Sequence, residues 1–248
     1  MLEKLKNDVG QIRLVFILKK AIAKLEFELA DTKTLRMARF LMISNKRLFD
    51  KGLVLSAKKS VPLLRDGTPI PWVTHPFLEY ISKLNLKKFT MVEFGSGNST
   101  IFFSKKVKQL ISHEHDLGFI NYLREVHEYK GEIRHVDHRY GGVSSDFDTD
   151  IVFIDGLDRN ELLRTLLHHM TQQTPLKQQL VIIDNPDYLG PKLLGELSER
   201  GFFRIDFYGT SSGSFVESIT SLFISRDAES VIFQSLVDEG FKSLFASD

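Results

Sequence analysis

Apolar positions in residues 1–59, among them Ile12, Val15, Phe16, Ala23 and Phe27, recur three and four residues apart with Lys and Arg between them. That period puts apolar side chains on one face of an α-helix. No proline interrupts the run, so the spacing predicts helix throughout, with Gly10 and Gly52 as breaks. The pattern then changes: Val61 to Trp72 holds three prolines and a glycine, the composition of an irregular connector. From Thr74 onward short apolar runs alternate with amphipathic stretches. They predict strands at 89–94, 109–114, 132–137, 150–155 and 179–184, and helices near 98–106, 117–129, 158–171 and 189–200. Runs such as Ile151-Val152-Phe153-Ile154 are apolar without alternation, as in strands covered by helices on both faces. The last two strands, 202–208 and 218–225, are separated by a Gly/Ser-rich segment with no room for a helix, and predict an antiparallel hairpin. The expected fold is therefore α/β: a doubly wound, mostly parallel seven-stranded sheet with a C-terminal antiparallel hairpin, behind a helical N-terminal region. The boundaries are 1–60 for the helical extension, 61–75 for the connector and 76–248 for the α/β domain.

Composition narrows the chemistry. With 42% hydrophobic and 26% charged residues the chain is an ordinary folded protein, not a disordered or low-complexity one. It has no cysteine, which removes disulfides, thiolate metal sites and a Cys nucleophile. The longest apolar run near the start, Leu14 to Leu18, falls far short of the roughly 20 residues that span a bilayer. No signal-peptide cleavage pattern follows it, so an intracellular, cytoplasmic location is expected. Net charge is +1 overall, yet residues 1–60 carry 14 Lys and Arg against 6 Asp and Glu. The extension is basic and the remainder mildly acidic.

The run Met91-Val92-Glu93-Phe94-Gly95-Ser96-Gly97-Asn98-Ser99-Thr100 reads as a strand, a Gly-x-Gly turn and a helix start. Glycine lets backbone approach a ligand closely, and a helix N-terminus offers free N–H groups. By itself the turn is also compatible with a plain strand-to-helix connection. Glu114 ends the next strand, 21 residues after Glu93, where a carboxylate can accept both hydroxyls of a ribose. Glu93, two positions before Gly95, discriminates between ligands. A carboxylate under the turn repels a dinucleotide pyrophosphate but favours the ammonium and sulfonium of S-adenosylmethionine.

With these residues in view, the segment from about Thr68 to Arg226 resembles class I S-adenosylmethionine-dependent methyltransferases. The matching motifs are Val92-Glu93-Phe94-Gly95-Ser96-Gly97, the acid in Ile111-Ser112-His113-Glu114-His115-Asp116, Val152-Phe153-Ile154-Asp155-Gly156, and Thr220-Ser221-Leu222-Phe223. Ile70-Pro71-Trp72 through Pro76 is similar to bacterial members of unassigned substrate. The resemblance implies that Gly95 and Gly97 line the methionine moiety, Glu93 helps hold its amino end, Glu114 binds the ribose, and Asp137 accepts from the adenine amino group. Asp137 also reads as an exposed strand end. Ser99 stands where the family has a third glycine, and a serine there can cap the helix. Trp72 and Thr74 are candidates to cover the cofactor or to pack the connector.

Asp155, Asp184 and Asn185 fall at the ends of the fourth and fifth strands. Two carboxylates and an amide oxygen are a hard-ligand set suited to Mg²⁺, and Asp155 is also a candidate catalytic group. The set resembles the metal site of catechol-type O-methyltransferases, except that Asp158 stands where those enzymes place a lysine. His75, His113, His115 and His138 are candidate general bases. Arg159 is either a contact for an acidic acceptor or a solvated residue at a helix start, while His168 and His169 read as surface or packing residues. The resemblance favours a small-molecule or glycan acceptor, methylated on oxygen. No aromatic–basic recognition motif points to nucleic acid. The extension reads as a helical cap, a homodimerisation element or, through Ile12 to Lys20, a peripheral membrane contact. A cofactor-binding module without turnover and an NAD-dependent dehydrogenase are the alternative functions.

Overall fold

The computed structural model describes Met37, Leu41, Met42, Ser44 and residues 51–137, 143–172, 179–214 and 216–226. The chain divides into two compact units, Met1–Leu48 and Phe49–Asp248. In the first, Met37, Leu41, Met42 and Ser44 are helical. The readings placed on residues 1–36, and His138, lie outside the described residues.

The second unit begins earlier than the connector suggests. Helix α1 (Leu53–Lys59) belongs to it. Gly52 precedes α1 at φ 75°, where a Cβ would strike the Leu63 carbonyl, so glycine is required at this break. The connector is ordered. Leu63 bridges Pro69 in antiparallel fashion, Leu64 N–H donates to the Thr68 carbonyl at 2.9 Å, and the Ser56 hydroxyl donates to the Leu63 carbonyl at 3.0 Å. Helix α2 (His75–Ser82) follows, with Thr74 at its N-cap and Pro76 in its first turn, the position where the missing N–H of proline costs nothing.

The sheet is built from β1 (Thr90–Phe94), β2 (Gln109–Glu114), β3 (Glu132–His135), β4 (Ile151–Ile154), β5 (Leu180–Asp184), β6 (Phe202–Thr210) and β7 (Glu217–Ser225). Helices α3 (Asn98–Ser104), α4 (Leu117–Val126), α5 (Arg159–Thr171) and α6 (Pro191–Glu199) connect them. The order is β3-β2-β1-β4-β5-β7-β6. The first five strands pair in parallel; β7 pairs antiparallel with both β5 and β6. The returning strand of the hairpin thus inserts next to β5 and leaves β6 at the edge. Burial explains the choice: Thr220 to Ser225 is buried throughout, whereas β6 carries exposed Arg204 between exposed neighbours.

Both sheet faces are covered. Met91, Ile151, Phe153 and Ile182 join Phe77 and Phe103 on one side; Val92, Phe94, Val152, Val181 and Phe223 join Phe147, Leu163 and Leu166 on the other. This accounts for the uninterrupted apolar runs. Chain order reverses between β1 and β4, since β1 leads to β2 on one side while β4 and β5 lie on the other. In open α/β sheets, ligands bind outside the carboxyl ends of the strands at such a switch point.

Candidate functional site

A cavity of about 910 Å³ opens at this switch point. Gly95, Ser96, Gly97, Asn98 and Ser99 supply its floor, Glu114, His115 and Asp116 the end of β2, and Asp155 to Asn160 the end of β4 and the start of α5. Ser60, Val61, Pro62 and Trp72 from the connector complete its rim. The Asn98 side chain donates to the Pro62 carbonyl at 2.7 Å, fastening the connector to the start of α3.

The two glycines are needed for different reasons. Gly95 has φ 96°, and a Cβ there would lie 2.9 Å from the Asp155 carbonyl group, so the fold itself demands glycine. Gly97 is extended, and a Cβ would meet only ordinary contacts, 3.8 Å from the Ser99 hydroxyl and 3.9 Å from Phe119. Its missing side chain leaves room for a ligand in the cavity. Gly95→Ala is therefore expected to destabilise the protein by about 1–3 kcal/mol. Gly97→Ala should leave the urea midpoint within error while weakening S-adenosylhomocysteine binding, measured by calorimetry, by roughly 10-fold or more, about 1.4 kcal/mol. Equal binding by the Gly97 variant would place the ligand elsewhere.

Beneath the turn lies Glu93, fully buried. Its Oε2 accepts from the hydroxyls of Thr100 at 2.6 Å and Ser112 at 2.7 Å, while Oε1 has no hydrogen-bond partner. Burial pushes its pKa up to about 7 against the pull of the Ser99, Thr100 and Ser112 hydroxyls, with the Glu114 charge adding to the rise. Gly97 N–H in turn donates to the Thr100 hydroxyl at 2.9 Å, so turn and carboxylate are linked through one side chain. An orphaned acidic oxygen under a glycine turn fits a cationic ligand group. Ser99 lines the cavity from inside α3, whose N-cap position is taken by Gly97, and its hydroxyl is among those that oppose the rise of the Glu93 pKa.

Glu114 holds the turn from the other side. Its carboxylate accepts from the backbone N–H of Ser96 at 2.8 Å and of His115 and Asp116, both at 2.9 Å. The His115 ring Nδ1 also lies 2.9 Å from Oε1, so the capacity left for a ligand hydroxyl is on Oε2, which among the described residues accepts only from Ser96. Asp137 is exposed, past the end of β3, and is not among the residues that line the cavity. Sequence reasoning missed Phe119 and Tyr122. They stack at 5.8 Å on the exposed face of α4, which Asp116 caps, and both line the cavity. Their spacing of three after that cap was the available signal.

Among the described candidate bases, only His115 lines the cavity. His75 is buried, bonded to the Ser212 hydroxyl at 2.9 Å, and depressed to about 4 chiefly by burial. His113 is buried, stacked on Phe94 at 5.0 Å and paired with Asp146 at 2.9 Å.

The expectation of a Mg²⁺ site at Asp155, Asp184 and Asn185 is corrected by Arg159. The three residues do converge, but around a guanidinium. Arg159 Nη2 donates to Asp155 Oδ1 at 2.7 Å, and Nη1 donates to Asn185 Oδ1 at 3.1 Å and to the Asp184 carbonyl. Its Nε donates to the Gly156 carbonyl at 3.2 Å. The remaining acid, Asp184, accepts from the Thr220 hydroxyl at 2.7 Å. A dication beside this fixed positive charge is repelled, and the amide oxygen is already taken. Among the described residues no group of three or more His, Asp or Glu side chains is placed to hold a metal ion. Arg159 is thus neither solvated nor free for an acceptor, and Asp158 caps α5 by accepting from Glu161 N–H at 3.2 Å. Burial and the Asp184 charge raise the Asp155 pKa well above the carboxylate range, with Arg159 opposing; Asp184 is pushed up to about 6, mainly by burial. Arg159→Ala should cost about 1–3 kcal/mol in urea unfolding, because it strands the Asp155 carboxylate and leaves the Asn185 amide oxygen and the Asp184 carbonyl without a donor. Wild-type stability would mean the clamp carries no net energy.

A smaller cavity of about 340 Å³ shares Trp72, Asp155 and Tyr188 with the first. Asp184, Asn185, Asp187, Glu217 and three serines complete most of its wall.

The strand order, with its antiparallel final pair, is the class I methyltransferase fold expected from the sequence. No protein-family model and no curated protein matches the chain in sequence. Solved structures similar in fold include the N-methyltransferase NodS from Bradyrhizobium japonicum WM9 in complex with S-adenosyl-L-homocysteine, 13% identical over 59% of this chain and 85% of that one, TM-score 0.40. An rRNA methylase from Streptococcus thermophilus is 10% identical over 63% and 100%, TM-score 0.41. A methyltransferase from Pyrococcus furiosus is 19% identical over 73% and 97%, TM-score 0.40.

Proposed function

We propose that this protein is an intracellular S-adenosylmethionine-dependent methyltransferase acting on an oxygen of a small molecule or glycan. The observation that carries the reading is the buried acid Glu93, with one oxygen lacking a hydrogen-bond partner, beneath a turn whose Gly97 lines the open cavity. In this reading Glu93 and the amides after Gly95 hold the methionine end, Glu114 takes the ribose hydroxyls, and Phe119 with Tyr122 offers the adenine an aromatic wall. Asp137 is the weakest member of the proposed set, being exposed. When bound, the cofactor supplies an electrophilic methyl group, which leaves the protein to orient the acceptor and take its proton. Asp155 stands where the two cavities meet, a position from which a carboxylate takes the acceptor's proton. Arg159 fixes the position of that carboxylate.

A dehydrogenase binding NAD is disfavoured in this reading by Glu93, an acid buried beneath the glycine turn where a pyrophosphate would sit. A nucleic-acid acceptor is disfavoured by the carboxylates of the second cavity, which repel phosphates. Incubation with radiolabelled S-adenosylmethionine and a panel of sugars, polyols and phenols tests turnover. Transfer at enzymatic rates to any of them is expected; a complete absence of transfer with tight cofactor binding favours a module without turnover.

A further inference from the structure

The second cavity has a chemistry of its own. Among the described residues, four carboxyl groups line it, from Asp155, Asp184, Asp187 and Glu217, and no lysine, arginine or histidine does. Arg159 pairs with Asp155 beside it, and its donors are spent on Asp155, Asn185 and backbone carbonyls. Asp187 makes itself felt inside the wall, since its charge is among the causes that raise the Asp184 pKa.

A second and independent feature lies at the junction with the larger cavity. Trp72 and Tyr188 line both cavities and are 48% and 72% exposed. The Trp72 indole is fixed there, its Nε1–H donating to the Ser211 hydroxyl at 3.1 Å. Aromatic faces beside carboxylates attract an ammonium by cation–π and ionic interaction together. Ser211, Ser214 and Ser218 add hydroxyl partners suited to a polyol.

We propose that the methyl acceptor is a small hydroxyl-bearing cation, a molecule with a protonated amine next to the alcohol that is methylated. This rests on the methyltransferase reading and adds the substrate class. The ammonium lies against Asp187, Glu217 and an aromatic face, and the acceptor hydroxyl meets Asp155 at the junction. The hydroxyl oxygen forms a bond to the methyl carbon as the carbon–sulfur bond breaks, its electron pair staying on sulfur; the hydroxyl proton passes to a carboxylate. The amine stays protonated and unmethylated because it is the anchor.

Three isosteric probes separate the charges: glucosamine, glucose and glucuronate, each titrated into the full chain saturated with S-adenosylhomocysteine and followed by saturation-transfer NMR. Glucosamine is expected to bind at least roughly 10-fold more tightly than glucose, a gap typical of one well-placed charge contact, and glucuronate not at all. The double variant Asp187→Asn, Glu217→Gln should lose that preference while its affinity for S-adenosylhomocysteine is unchanged. Binding of glucose or glucuronate as tight as glucosamine, no binding of glucosamine at millimolar concentration, or a preference that survives in the double variant overturns the proposal. Failure to bind S-adenosylhomocysteine in the first place instead overturns the methyltransferase reading beneath it.

Discussion

Glu114→Ala is expected to abolish measurable binding of S-adenosylhomocysteine. A hydrogen bond to a charged acceptor is worth about 1.5–3 kcal/mol, so losing even one ribose hydroxyl corresponds to roughly 10- to 100-fold in affinity. The loss is compounded because the same carboxylate tethers the amides of Ser96, His115 and Asp116, so the glycine turn also loses its anchor. Those amides border an open cavity and water replaces the carboxylate there, so the melting temperature should fall by only a few degrees. Calorimetry with thermal unfolding on the same sample separates the two effects. A variant that binds like wild type would remove Glu114 from the cofactor site and leave it a turn anchor.

The second large effect concerns stability against pH. Folding raises the Glu93 pKa from 4.5 to about 7, so between these values the native state holds a proton that the unfolded chain has released. The stabilisation this gives is full below about 4.5 and is lost as pH rises through 7. One pKa unit is about 1.4 kcal/mol, which makes the loss on the order of 3 kcal/mol. Glu93→Gln cannot ionise. Its stability relative to wild type should therefore improve by about 3 kcal/mol between pH 4.5 and pH 8, read from urea unfolding across that range. Its affinity for S-adenosylhomocysteine should fall, since the cation loses its counter-charge. A parallel pair of stability curves would contradict the buried-acid account. Cofactor binding to wild type should also release a proton near neutral pH, because an ammonium at the orphaned oxygen favours the ionised form.

The sheet was legible because its strands are uninterrupted apolar runs, and such runs have few alternative placements. Ile151-Val152-Phe153-Ile154 is a strand as expected, buried at every position. Boundaries slipped where neighbours were missing. The third strand ends at His135 instead of 137, at an edge where only β2 pairs with it. Around the large cavity, Gly95, Gly97 and Glu114 were legible because each is tied to a strand end or a turn that the local pattern reveals; Glu93 lies buried beneath that turn and does not line the cavity. Phe119 and Tyr122 were not legible, since the spacing of three after the Asp116 cap is shared by any amphipathic helix and does not by itself mark ligand contact. Arg159 shows the limit most clearly. Strand ends brought Asp155, Asp184 and Asn185 together as the sequence suggested, but only three-dimensional placement shows that a guanidinium occupies the space between them. The role of Trp72 likewise depends on Ser211, 139 residues away.

The central claim is that the cavity at the switch point takes S-adenosylmethionine and not a dinucleotide. Isothermal titration of the full chain with S-adenosylhomocysteine and, separately, with NAD tests it most directly. The account predicts a saturable, one-to-one isotherm with S-adenosylhomocysteine and no heat of binding with NAD. Saturable NAD binding with no response to S-adenosylhomocysteine would contradict it.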